Sequence, residues 1–219
     1  ILGPAAGIIL PLNKIFRKKL IVNHGGLDEW KREKYSKYQR KIIYLNHYIA
    51  SRVANENIAD NAQLQKSIFK TFNSDSLVIK YGGDHITRSL NKMSYSSIYP
   101  FLLKKYDLSI SRAQVDNNIN LLLQVYKKNQ HRNLVLISNW NVSDYGKELK
   151  SKYKDKYPNI YIMDAIYKKE TLNIIRSNTS LYIHSHSRCG TSPSLVEAMH
   201  YKVPIICFDV ITNRAVTEN

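Results

Sequence analysis

From about Leu108 onward, short apolar runs alternate with helical stretches, and this alternation constrains the fold more than any other feature of the chain. The runs Leu108–Ser111, Leu134–Ser138, Ile160–Met163, Leu181–His184 and Ile205–Phe208 are apolar on both faces. A strand of that kind has to be covered on both sides, which is the condition of a buried parallel sheet. Between the first two runs, Ile119, Leu122, Leu123 and Tyr126 fall at i, i+3, i+4 and i+7 within Asp116–Asn129, giving one apolar helix face. Tyr145–Tyr157, Lys169–Ser177 and Pro193–His200 read as further helices. Repeated strand, helix and strand with short connections predicts an α/β fold with a doubly wound parallel sheet.

The first third repeats the pattern in shorter form. Leu20–Asn23, Asn57–Asp60 and Leu77–Lys80 read as strands. Tyr38–Val53 carries Ile42, Ile43, Leu45, Ile49 and Val53 on roughly one side, and Asn61–Phe72 forms a second helix that Asp60 or Asn61 can cap. Paired glycines in Tyr81-Gly82-Gly83-Asp84-His85 end this section, and a partly polar stretch runs on to Tyr106. The expected organisation is a partial α/β domain over 1–83, a linker region over 84–106 and a second α/β domain over 107–219 that is incomplete at its end. A cleft between two such domains is a natural ligand site. The chain opens on Ile and stops at Asn219 soon after a strand, so a fragment of a longer protein is expected.

Composition narrows the setting. The two cysteines, Cys189 and Cys207, fit neither a zinc site nor a disulfide framework, so a reduced cytoplasmic environment is expected. The apolar run Ile1–Leu12 is too short to span a bilayer, is broken by Pro4 and Pro11, and has no basic region before it to make a signal peptide. Thirty-three Lys and Arg against seventeen Asp and Glu give a net charge of +16, which favours polyanionic partners: nucleic acid, acidic lipid or phosphorylated substrates.

The chemistry concentrates after Leu181, in L-Y-I-H-S-H-S-R-C-G-T-S-P-S-L-V-E-A-M. The strand ends near His184, at the carboxyl edge where open α/β sheets bind ligands. A loop with Gly190 and Thr191 follows, then Ser192 as a candidate N-cap and Pro193 at the first helical position. Backbone N–H groups at such a helix start can bind a diphosphate, aided by the helix dipole. Glu197, just over a turn further on, can accept hydrogen bonds from ribose hydroxyls. The same residues serve equally as a capped helix with a solvated glutamate.

This segment resembles the donor-binding loop of the large retaining GT-B glycosyltransferase family, whose hallmark is two glutamates separated by seven residues. Glu197-Ala198-Met199 matches the second glutamate, and Val203-Pro204-Ile205-Ile206 matches the strand that follows; Cys189 stands where the first glutamate would be. The whole segment is similar to H-x-H-S-x-G-G-T-x-P-S-L-x-E-A-M of rhamnosyltransferase-like enzymes of bacterial capsule and O-antigen assembly. Four other stretches agree in order: Gly26–Lys34 (G-L-D-E-W-K-R-E-K), Tyr81–His85 (Y-G-G-D-H), Val115–Ile119 (V-D-N-N-I) and Asn213–Thr217 (N-R-A-V-T). The resemblance implies two Rossmann-like domains in GT-B arrangement, both truncated. The implied activity is metal-independent, retaining transfer of a hexosyl unit, rhamnose first, from a nucleotide diphosphate sugar to a growing, lipid-linked saccharide. No cofactor, catalytic metal or nucleic acid is implied, and the setting would be the cytoplasm or the inner face of the cell membrane.

In that register Arg112, after the first strand of the second domain, sits where the family places an arginine near the donor diphosphate, a role that suits a guanidinium fork. The partner lysine usual a few residues on is replaced by Asn117-Asn118. Taken alone, Arg112 reads equally as a surface ion-pair residue. His184 and His186 lie two apart, hence on one side of an extended segment. They admit a metal-site reading, but a place lining the donor cleft is the expectation. In the other domain, the resemblance places His24, Asp28, Glu29 and Arg32 at the cleft as candidates for the reacting centre; the alternative is a glycine turn before a charged helix face. Lys31–Lys41 is basic with interleaved tyrosines, which suits single-stranded nucleic acid, an anionic membrane surface or a solvated face, and the membrane surface is preferred. The rival functions are a nucleotide-sugar epimerase of similar fold and a basic nucleic-acid-binding module.

Overall fold

The computed structural model describes residues 3–16, 18–26, 28–32 and 35–218 of the 219. Ile1 and Leu2 of the N-terminal apolar run, and Leu27, Glu33 and Lys34 of the stretches Gly26–Lys34 and Lys31–Lys41, lie outside the described residues.

The chain forms two compact units. One comprises the described residues up to Tyr81, with Cys189–Ser192 and the residues from Val210 onward; the other comprises Gly82–Arg188 and Pro193–Asp209. This differs from the expected division in two ways. The 84–106 stretch is no free linker, because Phe101 and Leu102 are fully buried in the core of the second unit. The chain also returns twice to the first unit, at 189–192 and again near its end.

In the first unit, β1 (Ile21–His24), β2 (Glu56–Ala59) and β3 (Leu77–Val78) form a parallel sheet in that order. The connecting helices are α1 (Lys37–Val53) and α2 (Ala62–Phe72), and α8 (Ile211–Thr217) packs against α2. A capping box joins Ser36 and Gln39 at the start of α1. Of the two candidate caps for α2, Asn61 does the work, its side-chain oxygen accepting from Leu64 N at 2.8 Å. Val22 and Ala50 pack with Leu10 and Leu20, and Ala59 packs with Leu64, Ile68 and Phe72.

The second unit begins with α3 (Met93–Ser96) and continues as β4 (Tyr106–Ile110), α4 (Ile119–Lys128), β5 (Asn133–Ser138), α5 (Asp144–Tyr153), β6 (Ile160–Asp164), α6 (Lys169–Ser177), β7 (Leu181–His184), α7 (Pro193–His200) and β8 (Ile205–Cys207). All five strands are parallel, in the order β6-β5-β4-β7-β8. Alternation along β5 shows why its sequence had to be apolar throughout. Leu134 and Leu136 enter a core with Ile119, Leu123 and Trp140, while Val135 and Ile137 enter the opposite core with Phe101, Leu108 and Ile175.

The expected helix over Asp116–Asn129 is interrupted. A short 3-10 turn covers Val115–Asn117, Asn118 takes the left-handed conformation at φ 51°, and α4 starts at Ile119. Asn118 is among the residue types that tolerate this conformation, and both asparagine side chains are committed elsewhere, as described next. The helix expected to reach Tyr157 stops at Tyr153, with Asp155 left-handed at φ 60°. None of the described helices is long and apolar enough to cross a membrane.

Candidate functional site

In the second unit the strand order reverses at β4, with β5 and β6 on one side and β7 and β8 on the other. The loops leaving the two central strands diverge at such a switch point and open a crevice at the carboxyl ends, where ligands of open α/β sheets bind. Here these are residues 111–118 after β4 and 185–188 after β7.

Hydrogen bonds tie the two loops to each other. Ser185 Oγ donates to the Asn117 carbonyl at 2.5 Å, Asn118 Nδ2 donates to the Ser185 carbonyl at 2.8 Å, and the Ser187 N–H and hydroxyl both donate to the Asp116 carbonyl at 2.9 Å. Asn117 Nδ2 adds a bond to the Arg112 carbonyl at 2.7 Å. The two asparagines that stand in place of a lysine are therefore structural clamps. Arg112, held by them through its backbone, has an exposed side chain with no ion-pair partner among the described residues. Its guanidinium donors are open to an anion, and the surface ion-pair reading has no support here.

Across the switch point, His184 ends β7 with 1% of its surface exposed and no hydrogen-bond partner on either ring nitrogen among the described residues. Burial, and secondarily the neighbouring His186, lower its pKa to about 3, so the ring is neutral at physiological pH. The two rings lie 4.1 Å apart, centroid to centroid, as their spacing predicts.

Glu197, on α7, is not a solvated carboxylate. Its Oε2 pairs with Arg176 of α6 at 2.5 Å, and its Oε1 meets His85 Nε2 at 3.0 Å. The Arg176 side chain is only 11% exposed, so this pair is largely shielded from water. A close fit brings Gly83 to α7: a Cβ there would come within 2.2 Å of the His200 ring. Arg176 and His85 carry no local sequence signal of this role, since each meets Glu197 only through the fold.

The remaining candidates belong to the first unit. Gly190 lies against the carboxyl ends of β1 and β2, where a Cβ would stand 2.7 Å from the Gly25 carbonyl oxygen and 3.3 Å from Asp60 Oδ2. Thr191 Oγ1 accepts from Asn61 Nδ2 at 2.9 Å and donates to the Asp60 carbonyl at 3.4 Å. The Thr191 backbone N–H is turned to the Asp60 side chain. That amide, one of those expected to meet a diphosphate, is thus already taken. Ser192 is buried beside it.

His24 sits at the end of β1 with 1% exposure, its Nε2 within 2.9 Å of Asn57 Oδ1, and burial lowers its pKa. Asp28, left-handed at φ 48°, opens a short 3-10 turn and pairs with Lys31 at 2.6 Å. Glu29 pairs with Arg32 at 2.9 Å and accepts from the Tyr35 hydroxyl at 3.1 Å. Within this turn the charges are matched to one another.

No protein-family model and no curated protein matches this chain. Solved structures resemble it at low identity. HepE from Anabaena, solved in complex with UDP-glucose, superposes with a TM-score of 0.72 at 16% identity, over 94% of this chain and 57% of that one. Sucrose-phosphate synthase from Thermosynechococcus elongatus gives 0.74 at 13%, over 94% and 54%. UDP-GlcNAc 2-epimerase from Neisseria meningitidis, bound to UDP-GlcNAc, gives 0.53 at 13%, over 96% and 57%. The chain thus spans somewhat more than half the length of each of these structures, and what it shares with them is the α/β fold built on parallel, Rossmann-like sheets.

Proposed function

We propose that this chain is the greater part of a GT-B-type glycosyltransferase that moves a hexosyl unit, rhamnose first among candidates, from a nucleotide diphosphate sugar to a growing lipid-linked saccharide. The observation that carries this reading is the exposed Arg112 at the switch point of the five-stranded sheet, with no ion-pair partner among the described residues. An anion is what an open guanidinium there selects, and the solved structures that share the fold include two with a bound UDP-sugar. Neutral His184 lines the same crevice with His186 beside it. Glu197, fixed by Arg176, offers its remaining acceptor capacity to ribose hydroxyls. The leaving diphosphate is stabilised by protein groups, with Arg112 the foremost. The transferred sugar meets its acceptor near His24, Asp28, Glu29 and Arg32, and the reaction runs with retention and without a metal.

Calorimetric titration of uridine and thymidine diphosphate sugars into the protein tests the reading. Binding of one of them, weakened about tenfold by Arg112→Ala, is the expected result; binding indifferent to Arg112 overturns it. The epimerase neighbour favours one second reading, isomerisation of a nucleotide sugar. Release of free nucleotide diphosphate only when a saccharide acceptor is added separates transfer from epimerisation.

A further inference from the structure

One ionisable side chain near the donor segment has no part in the mechanism above. Asp60 follows β2 directly, is 2% exposed, and keeps Oδ2 without a hydrogen-bond partner among the described residues. A buried carboxylate with an unfilled acceptor is expensive, and nothing about capping α2 requires it, since Asn61 supplies the cap.

What Asp60 and Asn61 do touch is the 189–192 segment. The Asp60 carboxyl accepts the Thr191 N–H, its carbonyl accepts the Thr191 hydroxyl at 3.4 Å, and Asn61 Nδ2 donates to that hydroxyl at 2.9 Å. Gly190 lies so close to the Gly25 carbonyl and to Asp60 Oδ2 that no side chain fits at that position. Three successive features of the segment, a missing Cβ, an N–H and a hydroxyl, are matched by one short stretch at the carboxyl ends of β1 and β2.

From this geometry we infer that Asp60 is a positioning residue: it fixes the backbone of Gly190–Ser192, part of the segment proposed to meet the donor, by holding the Thr191 N–H. Its effect on ligand binding rests on the nucleotide-sugar reading above, whereas its hold on the loop does not. The Thr191 N–H favours the ionised carboxyl, yet burial outweighs it and pushes the Asp60 pKa up to about 6. A side chain retained against that cost is of the kind that functional sites collect.

Hydrogen exchange and UDP titration test the inference together. Asp60→Ala removes the acceptor, and amide exchange at 190–192 should rise at least tenfold while β1, β2 and α2 keep their protection; UDP should bind several-fold more weakly. Asp60→Asn keeps an acceptor oxygen in the same place and should restore both. Unchanged exchange at 190–192, or an equal loss of protection throughout the first unit, overturns the inference. Should Asp60→Ala fail to fold, Asp60→Ser, whose shorter side chain cannot reach the Thr191 N–H, takes its place and has to loosen the same amides, and protection retained in that variant also overturns it. If UDP binds neither parent nor variants, the nucleotide-sugar reading fails while the exchange result still decides the role of Asp60.

Discussion

Asp60 makes a prediction that can be read from stability alone. Its folded pKa of about 6 lies above the unfolded value of 3.8, so its contribution to stability is fully present below the unfolded value and is lost as pH rises through about 6. At roughly 1.4 kcal/mol per pKa unit, the loss amounts to about 3 kcal/mol by pH 7. His184 and His47, whose folded values fall to about 3 and about 4, act oppositely, stabilising above 6.5 and losing that contribution as pH falls. Comparison with Asp60→Asn isolates the aspartate. In urea titrations the variant should gain on the parent between pH 4 and pH 7, and a difference that stays flat across that window would remove the basis for a raised Asp60 pKa. The residue scale also shows where sequence reading stops. Glu197 was legible from its place after Pro193, but its ion pair with buried Arg176 was not. A Glu197→Gln substitution, which appears harmless to stability when the carboxylate is taken as solvated, leaves Arg176 without its anion.

At the scale of elements, most of the fold was legible. The bounds of β7, α6 and α7 coincide with the runs Leu181–His184, Lys169–Ser177 and Pro193–His200. Hydrophobic periodicity is a local property, and these segments obey it. The departures occur where tertiary hydrogen bonds override propensity, as at Asn117 and Asn118: the Asn117 side chain bonds the Arg112 carbonyl within its own loop, that of Asn118 ties this loop to Ser185, and the helix that periodicity alone would begin at Asp116 is broken. Gly146 gives an element-scale prediction of the same kind. Alanine is the better helix former by about 1 kcal/mol, yet a Cβ here would stand 2.3 Å from the Trp140 carbonyl oxygen and 2.9 Å from Ala113 Cβ. Backbone cannot yield as a flexible side chain can, so Gly146→Ala should destabilise the second unit by about 2 kcal/mol or more in chemical denaturation. A neutral or stabilising outcome would mean that the start of α5 does not approach Trp140 so closely.

At the scale of the whole molecule, the charge of +16 is a property of composition, and it attracts polyanions whatever the fold. If nucleic-acid binding is incidental, it should be dominated by counterion release and fall about a hundredfold or more between 50 and 200 mM salt. Nucleotide-sugar binding, which involves only a diphosphate, should change by less than about tenfold over the same range and should not be competed by oligonucleotide. Oligonucleotide affinity that survives the salt change, or that a nucleotide sugar displaces, would favour the nucleic-acid reading. The charge balance follows from composition, and the strand and helix segments and the stretch that resembles a donor loop are determined by the sequence, because each of these segments depends on neighbours a few residues away. The tertiary structure alone decided that 189–192 belongs with the first unit, that Asn61 and Asp60 meet Thr191, and that His85 and Arg176 meet Glu197. Asn61 and Thr191 are 130 residues apart and His85 and Glu197 112 apart, separations at which no local pattern constrains which side chains meet. The packing of whole strands and helices makes that choice.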